Sequence, residues 1–351
     1  MPSLPAALRD PFELTPNRVP RFYRGGRLLA EFRGETPAID DDRPEDWVGS
    51  GTRTWAPPGT PASSRGLSVV HIGEYALTMA ELLEAEPEAL AGQRDAGTLG
   101  LLVKLLDAGQ RLPVHCHPTR KAARSLLRSP HGKTEAWIIL GTRRDAGDAR
   151  VWAGFREPVE SATLRGWIDA QDTVALLGSL NEHRVVAGDV VLIPGGVPHA
   201  IGEGVFLLEL QEPTDFSVVA ETRGVPISES DASLGLGWDR AIGFFDTGAS
   251  GELLQPARVI APGVTSLIGS EADAFFRALR LEIDGETRLP SEEGFAIGVV
   301  LSGDGEISGP GRAVRLRRGV TFGVPAAAHR ASRIRGSGLE VVLCLPPSFS
   351  P

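Results

Sequence analysis

The sequence predicts a mainly β fold made of two units of similar shape. Three observations lead there. The 351 residues include 42 glycines and 27 prolines, a composition that favours many turns and so many short strands. The apolar runs between those turns are short, as in GLLVKLL at 100–106 and VFLLELQ at 205–211. The segment GDVVLIP at 188–194 is echoed by GVTFGVP at 319–325, and each copy is followed by a histidine, His199 or His329. That weak internal repeat predicts a second barrel resembling the first.

Residues 1–75 read as short strands joined by polar turns, one of them at 21–26. Apolar residues at helical spacing predict a helix over 77–91. A buried strand follows at 100–106, a short helix at about 119–127 and a strand at 132–140. The stretch 163–182 reads as largely helical. Strands are expected at 188–194 and 205–211. A connector rich in Gly, Ser and Asp spans 224–252, and the rest reads as β, with a helical exception at 270–278. The expected division is residues 1–225 for N-terminal strands plus a first barrel with helical insertions, and 226–351 for the connector plus a degenerate second barrel.

Composition narrows function. The net charge is −9 with no basic block, which argues against nucleic acid as a partner. No run reaches the roughly 18 apolar residues of a membrane helix, and no basic segment precedes an apolar one at the N-terminus. The expectation is a cytoplasmic protein, monomeric or homodimeric, that binds a small molecule. Cys116 and Cys344 cannot form a disulfide framework. Only three of the 36 basic residues are lysines: Lys104, Lys121 and Lys133.

The chemistry-bearing residues are His115, His117, Glu135 and His199. Residues two apart on a strand share a face, so His115 and His117 point together while Cys116 points away. Glu135 opens the apolar run Ala136-Trp137-Ile138-Ile139-Leu140, where an unpaired carboxylate is costly to bury. His199 ends the segment that begins at Gly188. Three imidazoles and a carboxylate form a donor set for a divalent transition metal. If they converge, the first barrel holds a metal site and the protein is an enzyme. His71, His131 and His183 carry no spacing signal. Trp47 and Trp55 are core candidates that can also stack on a sugar, core being the better reading.

The order of these elements resembles the paired motif of the cupin superfamily over roughly residues 98–212. A fuller resemblance, spanning most of the chain, is to the class I (cupin-type) mannose-6-phosphate isomerases. It rests on Arg24-Gly25-Gly26-Arg27-Leu28, Pro44-Glu45-Asp46-Trp47-Val48-Gly49-Ser50, Val114-His115-Cys116-His117-Pro118, Gly132-Lys133-Thr134-Glu135, the segment from Ile193 to Ala200 and Leu208-Glu209-Leu210-Gln211. The resemblance implies two jelly-roll barrels, the first metal-binding and the second degenerate. It also implies a zinc ion held at His115, His117, Glu135 and His199. His115 stands where that family has a glutamine, and Mn, Fe, Co and Ni accept the same donors. Lys133, Glu209 and Asp215 match family positions lining the sugar site. Pro113 and Val219 replace a serine and an arginine that help hold phosphate, and Arg223 is a nearby substitute. The implied reaction is aldose–ketose isomerisation through an enediolate, with Glu209 as proton carrier and Lys133 holding a substrate oxygen. The sugar is phosphorylated, unphosphorylated or altered. The alternatives are another metal-cupin enzyme, such as an Fe or Mn oxygenase, or a non-catalytic sugar-binding cupin.

Overall fold

A computed structural model describes residues 3–56, 65–92, 97–144, 147–290 and 294–348. Strands dominate these residues, in antiparallel sheets of eight, six, five and two strands. No helix among them is long and apolar enough to cross a membrane.

Two of the sheets build the site. The six-stranded sheet runs in the order Val190–Ile193, Glu135–Thr142, Val205–Gln211, Leu102–Asp107, Glu45–Val48 and Arg18–Val19. The five-stranded sheet runs Leu180–Arg184, Arg150–Phe155, His199–Ile201, His115–Cys116 and Val218–Val219. Between them lies an apolar cluster that includes Trp137, Ile139 and Leu207 from the first sheet and Val151, Ala153 and Ile201 from the second.

The opposite face of the six-stranded sheet is also buried. Val103, Leu105, Ala136, Ile138, Leu208 and Leu210 pack with Phe295, Ile297, Val299, Val342 and Cys344 of the C-terminal sheet. All seven residues of Val205–Gln211 are therefore buried. This is why that strand reads as a continuous apolar run rather than an alternating one. The strand at Phe12–Glu13 crosses over to pair with Gly323 and Phe322 in the eight-stranded sheet. Its remaining strands lie between Arg258 and Leu345 and enclose their own apolar cluster.

Several elements differ from the sequence reading. The helix expected over 77–91 is a strand, Tyr75–Thr78, followed by helices Met79–Ala85 and Pro87–Ala91. Thr78 and Glu81 form a capping box that starts the first helix, and Pro87 lacks the N–H that would continue it. The stretch 163–182 holds helices Ser161–Ala170 and Thr173–Gly178, then gives way to strand Leu180–Arg184. At 270–278 only Ser270–Ala272 turns helically before strand Arg277–Arg288 begins. The connector contains helices Glu229–Ala232 and Trp238–Ala241.

A helix that the sequence reading left out spans Arg27–Arg33. It explains the Arg24-Gly25-Gly26 motif. Gly26 has φ +106°, and a Cβ on Gly25 would lie 1.9 Å from the Asp107 carbonyl oxygen. The chain thus passes tightly over the end of strand 102–107. Asp107 Oδ2 accepts from the Gly26 and Leu28 N–H groups at 3.0 and 2.8 Å.

Candidate metal centre

The three histidines arrive by simple register. His115 and His199 are direct partners on adjacent antiparallel strands. His117 follows one residue beyond strand 115–116, on the same side as His115. Cys116 points the other way, into an apolar cluster with Phe155 and Leu164. The opposing sheet supplies Glu135 at the start of its strand.

Each imidazole is oriented from behind. His115 Nδ1 lies 2.8 Å from the Pro113 carbonyl, His117 Nδ1 2.7 Å from the Phe216 carbonyl and His199 Nδ1 2.8 Å from the Val197 carbonyl. A carbonyl only accepts, so each Nδ1 carries the hydrogen and each Nε2 keeps its lone pair. The ligand atoms of the three histidines lie within 4.8 Å of one another. His199 Nε2 is 2.9 Å from His115 Nε2. Glu135 Oε2 is 3.1 Å from His117 Nε2, and Glu135 Oε1 is 3.5 Å from His199 Nε2. Trp137 Nε1 donates to Glu135 Oε1 at 2.9 Å, fixing the carboxylate from its own strand.

Electrostatics favour the ligating forms. Burial, followed by the charge of Lys133, lowers His117 to about 3, and burial with His117 lowers His199 to about 3. His115 is also pushed well below its usual value, by burial first and then His199. For Glu135, burial would raise the value, but Lys133 and His117 outweigh it and hold the carboxylate well below the usual range. Neutral imidazoles and an ionised carboxylate are the forms that bind a divalent ion. The donor set and its carbonyl-fixed rings fit such an ion.

A line of buried charges of alternating sign leads away from Glu135. Lys133 Nζ contacts Glu135 Oε2 and sits 2.7 Å from His117 Nε2. Lys133 is 3.9 Å from Glu209 Oε1, which is 3.0 Å from Lys104 Nζ. Lys104 Nζ is 3.8 Å from Glu45 Oε2 and 4.8 Å from the centre of the Trp47 ring. Glu45 Oε1 lies 3.1 Å from Arg21 Nε and accepts from Tyr23 at 2.6 Å. Arg21 Nη1 then pairs with Asp215 Oδ2 at 3.2 Å. These groups line a cavity of about 40 Å³ that also reaches His115 and Val219.

Of the residues singled out from sequence, His115, His117, Glu135, His199, Lys133, Glu209 and Asp215 are brought together. Arg223 is not. It is exposed, and its Nη2 donates to the Ala170 carbonyl at 2.9 Å. The chain leaves the site after Val219 and does not bring position 223 back. Trp47 is fully buried and donates to Glu45 Oε2 at 2.7 Å, so it serves the site from the core. His329 is buried apart from the metal-ligand group.

Sequence reasoning missed Arg21, Tyr23 and Lys104, and saw Glu45 only as part of a motif. Lys104 was the one with a signal, being a lysine inside an otherwise apolar strand.

No family model matches the chain. It is 27% identical to the mannose-6-phosphate isomerase of Streptococcus mutans serotype c over 317 residues, covering 89% of this chain and 91% of that one. The crystal structure of the mannose 6-phosphate isomerase from Bacillus subtilis superposes with a TM-score of 0.73 at 24% identity, covering 95% of this chain and 99% of that one. A mannose 6-phosphate isomerase solved with zinc and yttrium superposes with a TM-score of 0.70 at 15% identity, covering 96% and 100%.

Proposed function

We propose that the chain is a class I, cupin-type mannose-6-phosphate isomerase family member and a metal-dependent aldose–ketose isomerase acting on a sugar, a reading supported by its likeness to proteins of that name. The observation that carries this is the convergence of three carbonyl-fixed imidazoles and Glu135 beside a second buried carboxylate, Glu209. In this reading residues 1–225 form the catalytic part. His115, His117, Glu135 and His199 hold one divalent ion, with zinc the first choice because a structural neighbour was solved with it. When bound there, such an ion would supply positive charge to stabilise the developing oxyanion. Two buried free thiols, Cys116 and Cys344, suit a reducing compartment, and the cytoplasm is the one this reading takes.

The chemistry asks for one hydrogen to move from C2 to C1 of the open-chain sugar and one from O2 to O1. Glu209 takes the C2 proton as the C–H bond breaks and its electrons form the enediolate, then returns a proton to C1. Its position suits that task. It is buried, it faces the ligands from the next strand, and burial raises its affinity for a proton while Lys104 limits the rise. Lys133 reaches toward the same space and steadies the developing oxyanion. Asp215 lines the same cavity and accepts substrate hydroxyls.

The test is a panel of free and phosphorylated aldoses and ketoses, assayed on protein whose metal content is measured on the same sample. Interconversion of an aldose–ketose pair that disappears with the metal supports the reading. A metal-replete protein inert toward every pair removes it.

A further inference from the structure

We propose that Arg21 and Asp215 act together as the reader of the sugar end remote from the metal, and that this end is a neutral hydroxyl pair rather than a phosphate. The inference rests on the isomerase reading above and specifies its substrate class. Arg21 stands on the wall between the inner cavity and an outer chamber of about 470 Å³, and it lines both, together with Phe22, Asp215, Ser217 and Val219. A sugar reaching the ligand atoms from this chamber passes this pair.

The polar groups here are those a hydroxyl pair needs. Arg21 Nη1 donates one hydrogen to Asp215, while Nε lies 3.1 Å from Glu45 Oε1 as an ion pair without a hydrogen bond. A guanidinium has five N–H donors, so the second hydrogen of Nη1 and the two on Nη2 are left for a ligand. Asp215 Oδ2 accepts from Arg21 and from the Trp55 N–H at 3.0 Å. Asp215 Oδ1 is buried and has no hydrogen-bond partner among the described residues. Buried acceptors of this kind call for a donor. A donor beside an unmatched acceptor is satisfied by neighbouring hydroxyls, each of which can donate and accept.

The charge balance argues against a phosphate. Arg21 lies between Asp215 and Glu45, the latter shared with Lys104, so its charge is already matched. The charged residues described around the outer chamber are Arg21, Arg65, Asp215 and Asp231, which sum to zero. Val219 faces both spaces and offers no side-chain donor. A phosphate dianion is held by cations with charge to spare, and here it would sit against Asp215.

The experiment uses metal-loaded protein and two probes that cannot be isomerised, the acyclic hexitol mannitol and its terminal phosphate. Calorimetric titration should show wild type binding mannitol at least as tightly as the phosphate. Arg21→Gln and Asp215→Asn should each weaken mannitol by about 10-fold, the loss of one or two hydrogen bonds. Asp215→Asn should also strengthen phosphate binding, because it frees Arg21 from one carboxylate; a merely structural defect would weaken both probes. Arg21→Lys keeps the charge and checks that the pocket folds. Phosphate binding 10-fold tighter than mannitol in wild type, no measurable mannitol binding, or mannitol affinity unchanged in both variants would overturn the proposal. Mannitol binding without turnover of any sugar would instead overturn the isomerase reading and leave the pair's role standing.

Discussion

Glu209 and Lys104 are direct cross-strand partners, and their charged ends meet at 3.0 Å in the buried interior. The contact lacks hydrogen-bond alignment, since Glu209 Oε1 makes no hydrogen bond among the described residues. Glu209 is therefore held by charge without being tied down, an arrangement consistent with the proton-carrying role proposed for it. Burial raises its pKa, Lys104 opposes the rise, and Glu135 adds to it. Lys104 in turn is raised, because Glu209 and Glu45 outweigh the burial that would lower it.

Replacing Glu209 by Gln keeps the shape and removes the base. Metal content should stay at wild-type level while turnover falls by roughly 100-fold or more, the usual size of a general-base effect. The readout is kcat with metal analysis, joined by deuterium uptake at C1 or C2 of the product in D₂O. Unchanged kcat would make Glu209 a structural group.

The pH dependence of turnover follows from the raised Glu209. A base must be ionised, so activity should rise with pH along an acid limb above the ordinary carboxylate value of 4.5. Lys104→Met removes the cation that opposes the rise, so the limb should move to higher pH. A limb at or below 4.5 that ignores Lys104→Met would contradict the assignment.

His117→Ala and His199→Ala should each lose the metal and the activity together, since each removes a fixed Nε2 donor. Elemental analysis after gel filtration decides it. Full occupancy in both variants would place the ion elsewhere.

Glu45 makes stability depend on pH in a defined window. Burial would raise its pKa, but Arg21, Lys104 and hydrogen bonds from Tyr23 and Trp47 bring it down to about 2. A depressed carboxylate contributes stability that is full above its unfolded value near 4.5 and is lost as pH falls toward 2. The slope from this group is at most about 1.4 kcal/mol per pH unit. Glu45→Gln should flatten that slope and lower stability at pH 7, because Arg21 and Lys104 lose a buried counter-charge. Denaturation at pH 3, 4, 5 and 7 would reveal it. An unchanged slope would show that Glu45 is not held down.

Much of the site was legible because its residues are local on strands. The His115-x-His117 spacing, the carboxylate at the head of an apolar strand and the histidine after Gly195-Gly196 all state their positions through alternation and turns. Arg21 and Tyr23 were not legible as site residues, and Lys104 showed only as a lysine inside an apolar strand. They reach Glu45 and Glu209 through cross-strand register and long-range pairing between residues 21, 45, 104, 209 and 215, which no local pattern encodes. The helix limits failed for a different reason. Stretches 77–91 and 163–182 carry apolar residues at helical spacing, but the Thr78 capping box, Pro87 and the strand at Leu180–Arg184 divide them differently.

The most direct test of the account is a stoichiometric metal titration of chelator-stripped protein, followed by isomerase activity on the best aldose of the panel. The account predicts no turnover without metal, then a linear rise that levels off at one divalent ion per chain. Full turnover by metal-free protein, or none with the site saturated, would contradict it.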